Sequence, residues 1–272
     1  IFEYIKNAVY DVYVDGKMYI ETELSHCTIE GLQPDNTYIV SVTEKSTGDT
    51  AEVKVKTAVT CESMDVRDFG AVGDGKTNDT FAIQAAIDNC PRNGKVILKN
   101  GIFLSGAITL KSNMTLEIED GAKLLGSPYT SDYPVSVYRF EGIEQKCYAS
   151  LINTDPSKGR LENVRITGNG IIDANGEKLF SVQMKEKAGK RGRAICIRET
   201  DGVYIKDVTV RQSPAWCVHT IYSNNVVLNN VKIFTKFDEK GRRYKGIYNG
   251  DGFDPDSCRN VTVVGCLIGS QD

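Results

Sequence analysis

The chain has 272 residues, of which 40% are apolar and 25% charged, the profile of a folded protein with room for one large domain and a small one. A formal net charge of −3 and the lack of long runs of like charge exclude a nucleic-acid surface, so a polyanionic ligand needs a local basic patch. No apolar run reaches the ~18 residues of a membrane-spanning helix, so no membrane partner is expected; the N-terminus also lacks the basic start and apolar stretch of a secretory signal.

Residues 1–58 alternate apolar and polar in short runs: Tyr10 to Val14, Lys17 to Thr22, Cys27 to Ile29, Tyr38 to Val42 and Glu52 to Lys56. These read as strands separated by turns at Asp15-Gly16 and Pro34-Asp35-Asn36. The stretch from Gly31 to Tyr38, followed by Ser41-Val42 and a last strand ending at Thr57, resembles the second half of a fibronectin type III sandwich. A small partial β-sandwich is therefore expected over 1–58, lacking the first two strands of that module, in the role of a spacer or docking surface. A second domain is expected over 59–272.

From Asp65 the pattern changes. Apolar residues at Ile83, Ala86, Ile87 and Cys90 have helical spacing, with Asn78 or Asp79 placed to cap one short amphipathic helix. Almost everything after Gly94 reads as short strands broken by Gly, Asn and Asp. Four segments share one template: Asn163-Val164-Arg165-Ile166, Gly202-Val203-Tyr204-Ile205, Asn225-Val226-Val227-Leu228 and Asn260-Val261-Thr262-Val263. The shortest step, from Val203 to Val226, sets one coil at about 23 residues, and the longer steps imply loop insertions around 173–193 and 234–250. A unit with two short strands cannot bury its apolar face alone, so stacked coils must share a continuous core. The fold class expected is all-β: a parallel β-helix capped by the helix near residue 80, preceded by the partial sandwich. The repeated Asn is expected to serve structure, because Asn tolerates left-handed turns and can hydrogen-bond along a stack. Asn78, Asn113 and Asn260 also match glycosylation sequons, at the rate chance gives in an Asn-rich chain.

The eight cysteines are spread along the chain with no C-x-x-C pair and only His26 and His219 to join them, so they are read as buried thiols and no zinc site is expected. The densest acidic cluster, Asn249-Gly250-Asp251-Gly252-Phe253-Asp254-Pro255-Asp256, precedes one repeat, and Ser270-Gln271-Asp272 follows it. Coils stack at roughly the ~4.8 Å spacing of neighbouring strands, so carboxylates one coil apart can approach on one face. Such a pair is the equipment of glycoside hydrolysis, one member protonating the leaving oxygen and one activating water. Solvated turn aspartates or a calcium site are the alternatives this cluster leaves open.

The acidic run resembles the N-T-D-G-x-D-P motif of the polygalacturonases, glycoside hydrolase family 28, with Gly250 in place of Thr. The likeness extends through Phe69-Gly70-Ala71-Val72-Gly73-Asp74-Gly75, the coil from Gly168 to Gly176, and Ser213-Pro214-Ala215-Trp216-Cys217-Val218-His219. The resemblance implies a right-handed β-helix acting on α-1,4 bonds of pectic poly- or oligogalacturonate without metal or organic cofactor. It implies Asp251 as the residue that helps activate water and Asp272 as the general acid of an inverting mechanism. Asn249, His219, Trp216 and Gln271 are the expected substrate-binding residues, Gln271 standing where the family more often has Gly. The cations Lys240, Arg242, Arg243 and Lys245 lie just ahead of Asp251 and could supply the local positive field.

The chain stops at Asp272, so the family's second Asp, its Gly-His-Gly and its Arg-x-Lys motifs are not in it. Negligible activity is expected if this is the whole protein, and aggregation at an unpaired helix end if it is a fragment. A fibronectin-like module ahead of a β-helix resembles bacterial exo-acting members, either secreted or periplasmic or cytoplasmic. A calcium-dependent pectate lyase and a non-catalytic glycan-binding β-helix are the rival readings; oligomeric state is not legible.

Overall fold

The computed structural model describes residues 1–270 and divides into two compact units, Ile1–Cys61 and Glu62 onward. The first unit is one four-stranded antiparallel sheet. Tyr10–Val14 lies between Lys17–Thr22 and Thr37–Glu44, and Thr50–Lys56 completes the edge. Asp15 and Gly16 both take positive φ (49° and 74°), the turn that the right-handed twist of a two-residue hairpin demands. The expected strand Cys27–Ile29 does not form. The backbone there is held by a side chain instead of a ladder: the Tyr19 hydroxyl donates to the Thr28 carbonyl (3.2 Å) and accepts from the Glu30 amide (3.0 Å).

The second unit is a right-handed parallel β-helix. Each coil passes through three sheets. The first stacks Ser63–Asp65, Lys95–Leu98, Met114–Ile118, Leu161–Thr167, Thr200–Lys206, Asn224–Asn229 and Arg259–Val264. The second stacks Asp74–Asn78, Ile102–Ser105, Lys123–Gly126, Ile171–Asp173, Thr209–Arg211, Lys232–Phe234 and Leu267–Gly269. The third, shorter sheet holds Ile108–Leu110, Ile152–Thr154, Ile195–Arg198, Val218–Ile221 and Phe253–Asp256. The repeat read from sequence is the register of the first sheet: Val164 pairs Val203, which pairs Val226, which pairs Val261. Alternate residues point inward, so Met114, Leu116, Ile166, Ile205 and Leu228 are fully buried in one continuous core.

Helix α1 (Thr80–Asn89) buries Ile83, Ala86 and Ile87 at the first coils. Asp79 occupies its N-cap position, but its carboxylate accepts from the amides of Val72 (2.7 Å) and Gly73 (3.0 Å), while the Asn78 side chain accepts from the Thr80 amide at 3.0 Å. All eight cysteines are free thiols, and Cys90, Cys147, Cys196 and Cys217 are buried.

The insertions leave the stack at one corner, between the second and third sheets. The first carries an antiparallel hairpin, Val135–Phe140 with Ile143–Tyr148. The second carries helix α2 (Gly176–Glu186), and the third is the loop between Phe234 and Phe253. Turns at a corner can lengthen without disturbing ladder hydrogen bonds, which is why side chains for binding can be added there at little cost to the core.

Candidate active site

The turn Asn249–Gly252 sits at this corner, immediately before the third-sheet strand Phe253–Asp256. It is fixed from several directions. The amides of Cys217 and Val218 donate to the carbonyls of Asp251 (2.8 Å) and Gly252 (3.1 Å), so the Ser213–His219 and Asn249–Pro255 motifs are adjacent coils in register. The Thr235 hydroxyl donates to the Gly250 carbonyl. Arg191 donates to the Tyr248 carbonyl (2.7 Å) and to Asn249 Oδ1 (2.8 Å). Asn249 has φ 51°, a left-handed conformation that Asn accepts more readily than most residues. A Cβ on Gly252 would lie 2.4 Å from Ile268 Cγ2, which is why glycine follows Asp251.

The aspartates of the cluster separate by environment. Asp256 receives Arg139 Nε at 2.7 Å, so it ties the hairpin to the third sheet. Asp254 is half-buried, with Oδ2 enclosed and without a hydrogen-bond partner among the described residues. Burial pushes its carboxyl up to about 7, with the Asp251 and Asp256 charges adding to the rise and Arg193 opposing it. Asp251 remains at the turn, half-buried, one side of it within the field of Arg191.

His219 and Trp216, expected at the substrate face, are packed beneath the hairpin. Trp216 stacks on Phe140 (4.5 Å, 14° between planes) and meets the His219 ring edge-on at 4.8 Å. His219 is 1% exposed, and neither ring nitrogen has a hydrogen-bond partner among the described residues. Burial, then the Arg193 charge, pushes its pKa down to about 3, so the ring is neutral at physiological pH. The hairpin, which no sequence pattern announced, is the physical reason for this placement. Gln271 and Asp272 lie outside the described residues.

In the basic loop ahead of Asp251, Arg242 is committed to acidic partners. Arg242 forks onto Glu177 (3.0 and 3.1 Å) and reaches Asp238 at 3.1 Å, and the Lys245 amide donates to Glu177 at 2.7 Å. A second group of cations lines a cleft of about 640 Å³ between the hairpin and α2 that ends at Tyr248 and Asn249. Lys146, Lys187, Lys190 and Arg191 line it, against the single acid Glu141, which lies 3.8 Å from Lys190. Gln183 is also in its wall, 1% exposed, with Nε2 unpartnered. Such a cleft suits an anionic, hydroxyl-rich ligand: ammonium groups for carboxylates, amide donors for hydroxyls and the exposed ring of Tyr248 for a sugar. Sequence reasoning missed these cations because they are scattered over two insertions that only the fold brings together.

Comparison with known proteins covers the same region. Residues 136–272 match the family described as Glycosyl hydrolases family 28, and residues 63–130 match that described as Rhamnogalacturonase A/epimerase, pectate lyase-like. The chain is 28% identical over 299 aligned residues to an exo-poly-alpha-D-galacturonosidase of Dickeya chrysanthemi, covering 92% of this chain and 48% of that protein. It therefore spans about half the length of that curated relative. The family 28 exopolygalacturonase of Yersinia enterocolitica superposes with a TM-score of 0.81 at 26% identity, over 95% of this chain and 58% of the other. A hyperthermoactive exopolygalacturonase from Thermotoga maritima superposes at 0.62 and 26% identity, over 77% and 55%.

Proposed function

The chain belongs to glycosyl hydrolase family 28, and from that premise we propose that the protein carrying it hydrolyses α-1,4 bonds between galacturonate residues of pectic chains, acting from a chain end with inversion. Asp251 activates the attacking water and Asp272 protonates the leaving oxygen, a division of labour between two carboxylates that needs no cofactor. Asn249 donates to the sugar beside the scissile bond, and Gln271 is proposed as a further substrate-binding residue. Trp216 and His219 support the turn from below through the hairpin. The observation that carries this reading is the clamped Asn249–Gly252 turn at the mouth of a cationic cleft. Lysines there are suited to substrate carboxylates, and the hairpin and α2 that wall the cleft favour a chain end over a passing polymer. For residues 1–58, read as fibronectin-like, the proposed role is that of a spacer.

The test is reducing-sugar release from polygalacturonate, with ultraviolet absorbance followed in parallel and with and without EDTA. Release without an absorbance gain, insensitive to EDTA and reduced by Asp251→Asn on the order of 10²–10⁴-fold, is expected. An absorbance gain abolished by EDTA would make the protein a lyase, and binding without turnover would make it a glycan-binding module.

A further inference from the structure

Arg191 belongs to no motif, yet it joins three segments of the site. It is 7% exposed, and its guanidinium lies 4.8 Å from the Phe180 ring centre and 4.9 Å from that of Tyr248. Nη1 donates to the carbonyls of Pro214 (2.8 Å) and Tyr248 (2.7 Å), and Nη2 to Asn249 Oδ1 (2.8 Å). The insertion loop, the Ser213–Trp216 turn and the Asn249 turn thus converge on one rigid plane.

That plane carries information an apolar filler could not. A guanidinium has only donors, so the Asn249 atom it meets must be the oxygen, and the amide's two N–H donors are turned away from Arg191. The fork also fixes the Tyr248 carbonyl, one residue after the buried Ile247 and three before Asp251, in a stretch outside any strand. Lysine offers charge without the planar fork and cannot hold the three acceptors in fixed directions.

We infer that Arg191 is the positioning residue of the catalytic turn: it sets the direction of the Asn249 amide and of the backbone leading to Asp251. The inference rests on the family 28 reading of that turn.

Its test combines kinetics on polygalacturonate with crystal structures of the wild-type protein and Arg191→Lys. The variant is expected to lower kcat about 10–100-fold, the cost of a misplaced reacting group, with KM changed less than about threefold. In an Asn249→Ala background the same substitution is expected to cost less, because the part of its effect that passes through the Asn249 amide is already gone. Its crystal structure should show the Asn249 amide turned or the Tyr248 carbonyl displaced. Wild-type kcat, additive losses in the double variant, or an unmoved turn would each overturn the assignment. Should Arg191→Lys not fold, Arg191→Gln, which removes the planar fork but keeps a polar side chain, is put through the same cycle and read by the same outcomes. Absence of hydrolysis by the wild-type protein would remove the enzymatic reading alone; the two crystal structures would still decide the role of Arg191.

Discussion

Asp254 and His219 are paired across neighbouring strands of the third sheet and titrate in opposite senses. The Asp254 carboxyl lies at about 7 in the folded protein against an ordinary 3.8, so the unfolded chain gives up a proton that the native state keeps. Stability contributed by that group therefore falls as pH rises through the interval. His219 lies at about 3 against an ordinary 6.5, so the unfolded chain takes up a proton that the native state refuses, and stability falls as pH drops through its interval. Between about pH 4 and 6.5 the two slopes oppose each other and the wild-type protein should be nearly insensitive to pH on their account. Asp254→Asn removes one slope. The variant is expected to melt at or slightly below the wild-type temperature near about pH 4 and above it near about pH 8, which thermal melts across that range would show. Parallel curves for variant and wild type would refute the buried, protonated state of Asp254. At this scale the site was partly legible: Asn249 and Asp251 stand in a local motif, whereas Arg191 acts through contacts with residues far along the chain. The burial of His219 depends on Phe140 and Arg139, about 80 residues away in sequence, which no local pattern encodes.

Among the elements, the repeated asparagines show how one residue type stabilises a corner. Asn113, Asn163, Asn225 and Asn260 all have φ between 49° and 58°, and their amides bond along the stack, Asn163 to Asn113 and Asn260 to Asn225, each at 3.0 Å. In the coil between them Gly202 replaces Asn, where an added Cβ would sit 2.9 Å from Asn163 Oδ1. Asn163→Gly keeps the left-handed turn but strands the buried Asn113 oxygen, an expected loss of about 1–2 kcal/mol. Asn163→Ala adds the left-handed penalty of about 1 kcal/mol. Urea titration of both variants checks this, and equal losses would mean that the conformation of the turn contributes nothing. These first-sheet strands were legible because each repeats a β-branched pattern behind the same turn residue. The third sheet was not: Phe253-Asp254-Pro255-Asp256 has the composition of a turn and becomes a strand only because Val218–Ile221 offers it a parallel edge. The hairpin and α2 fell inside insertions, where there is no repeat to compare.

For the whole molecule, the consequence of stacking is that each coil is stable only through its neighbours. One inward column runs Val96, Leu116, Ile166, Ile205, Leu228, Val263 through five successive pairings. Ile205 is in its middle and fully buried, with aliphatic side chains above and below. Removing methyl groups from the middle leaves a cavity that two coils must share, so Ile205→Ala should cost about 2–4 kcal/mol. The loss should also be local in space rather than in sequence. Hydrogen exchange in Ile205→Ala is expected to quicken most in Leu161–Thr167 and Asn224–Asn229, the strands that pair with its own, and least in Lys95–Leu98, three coils away. Uniform acceleration along the whole stack would instead describe a single cooperative unit, in which nearest-neighbour coupling is not what limits opening.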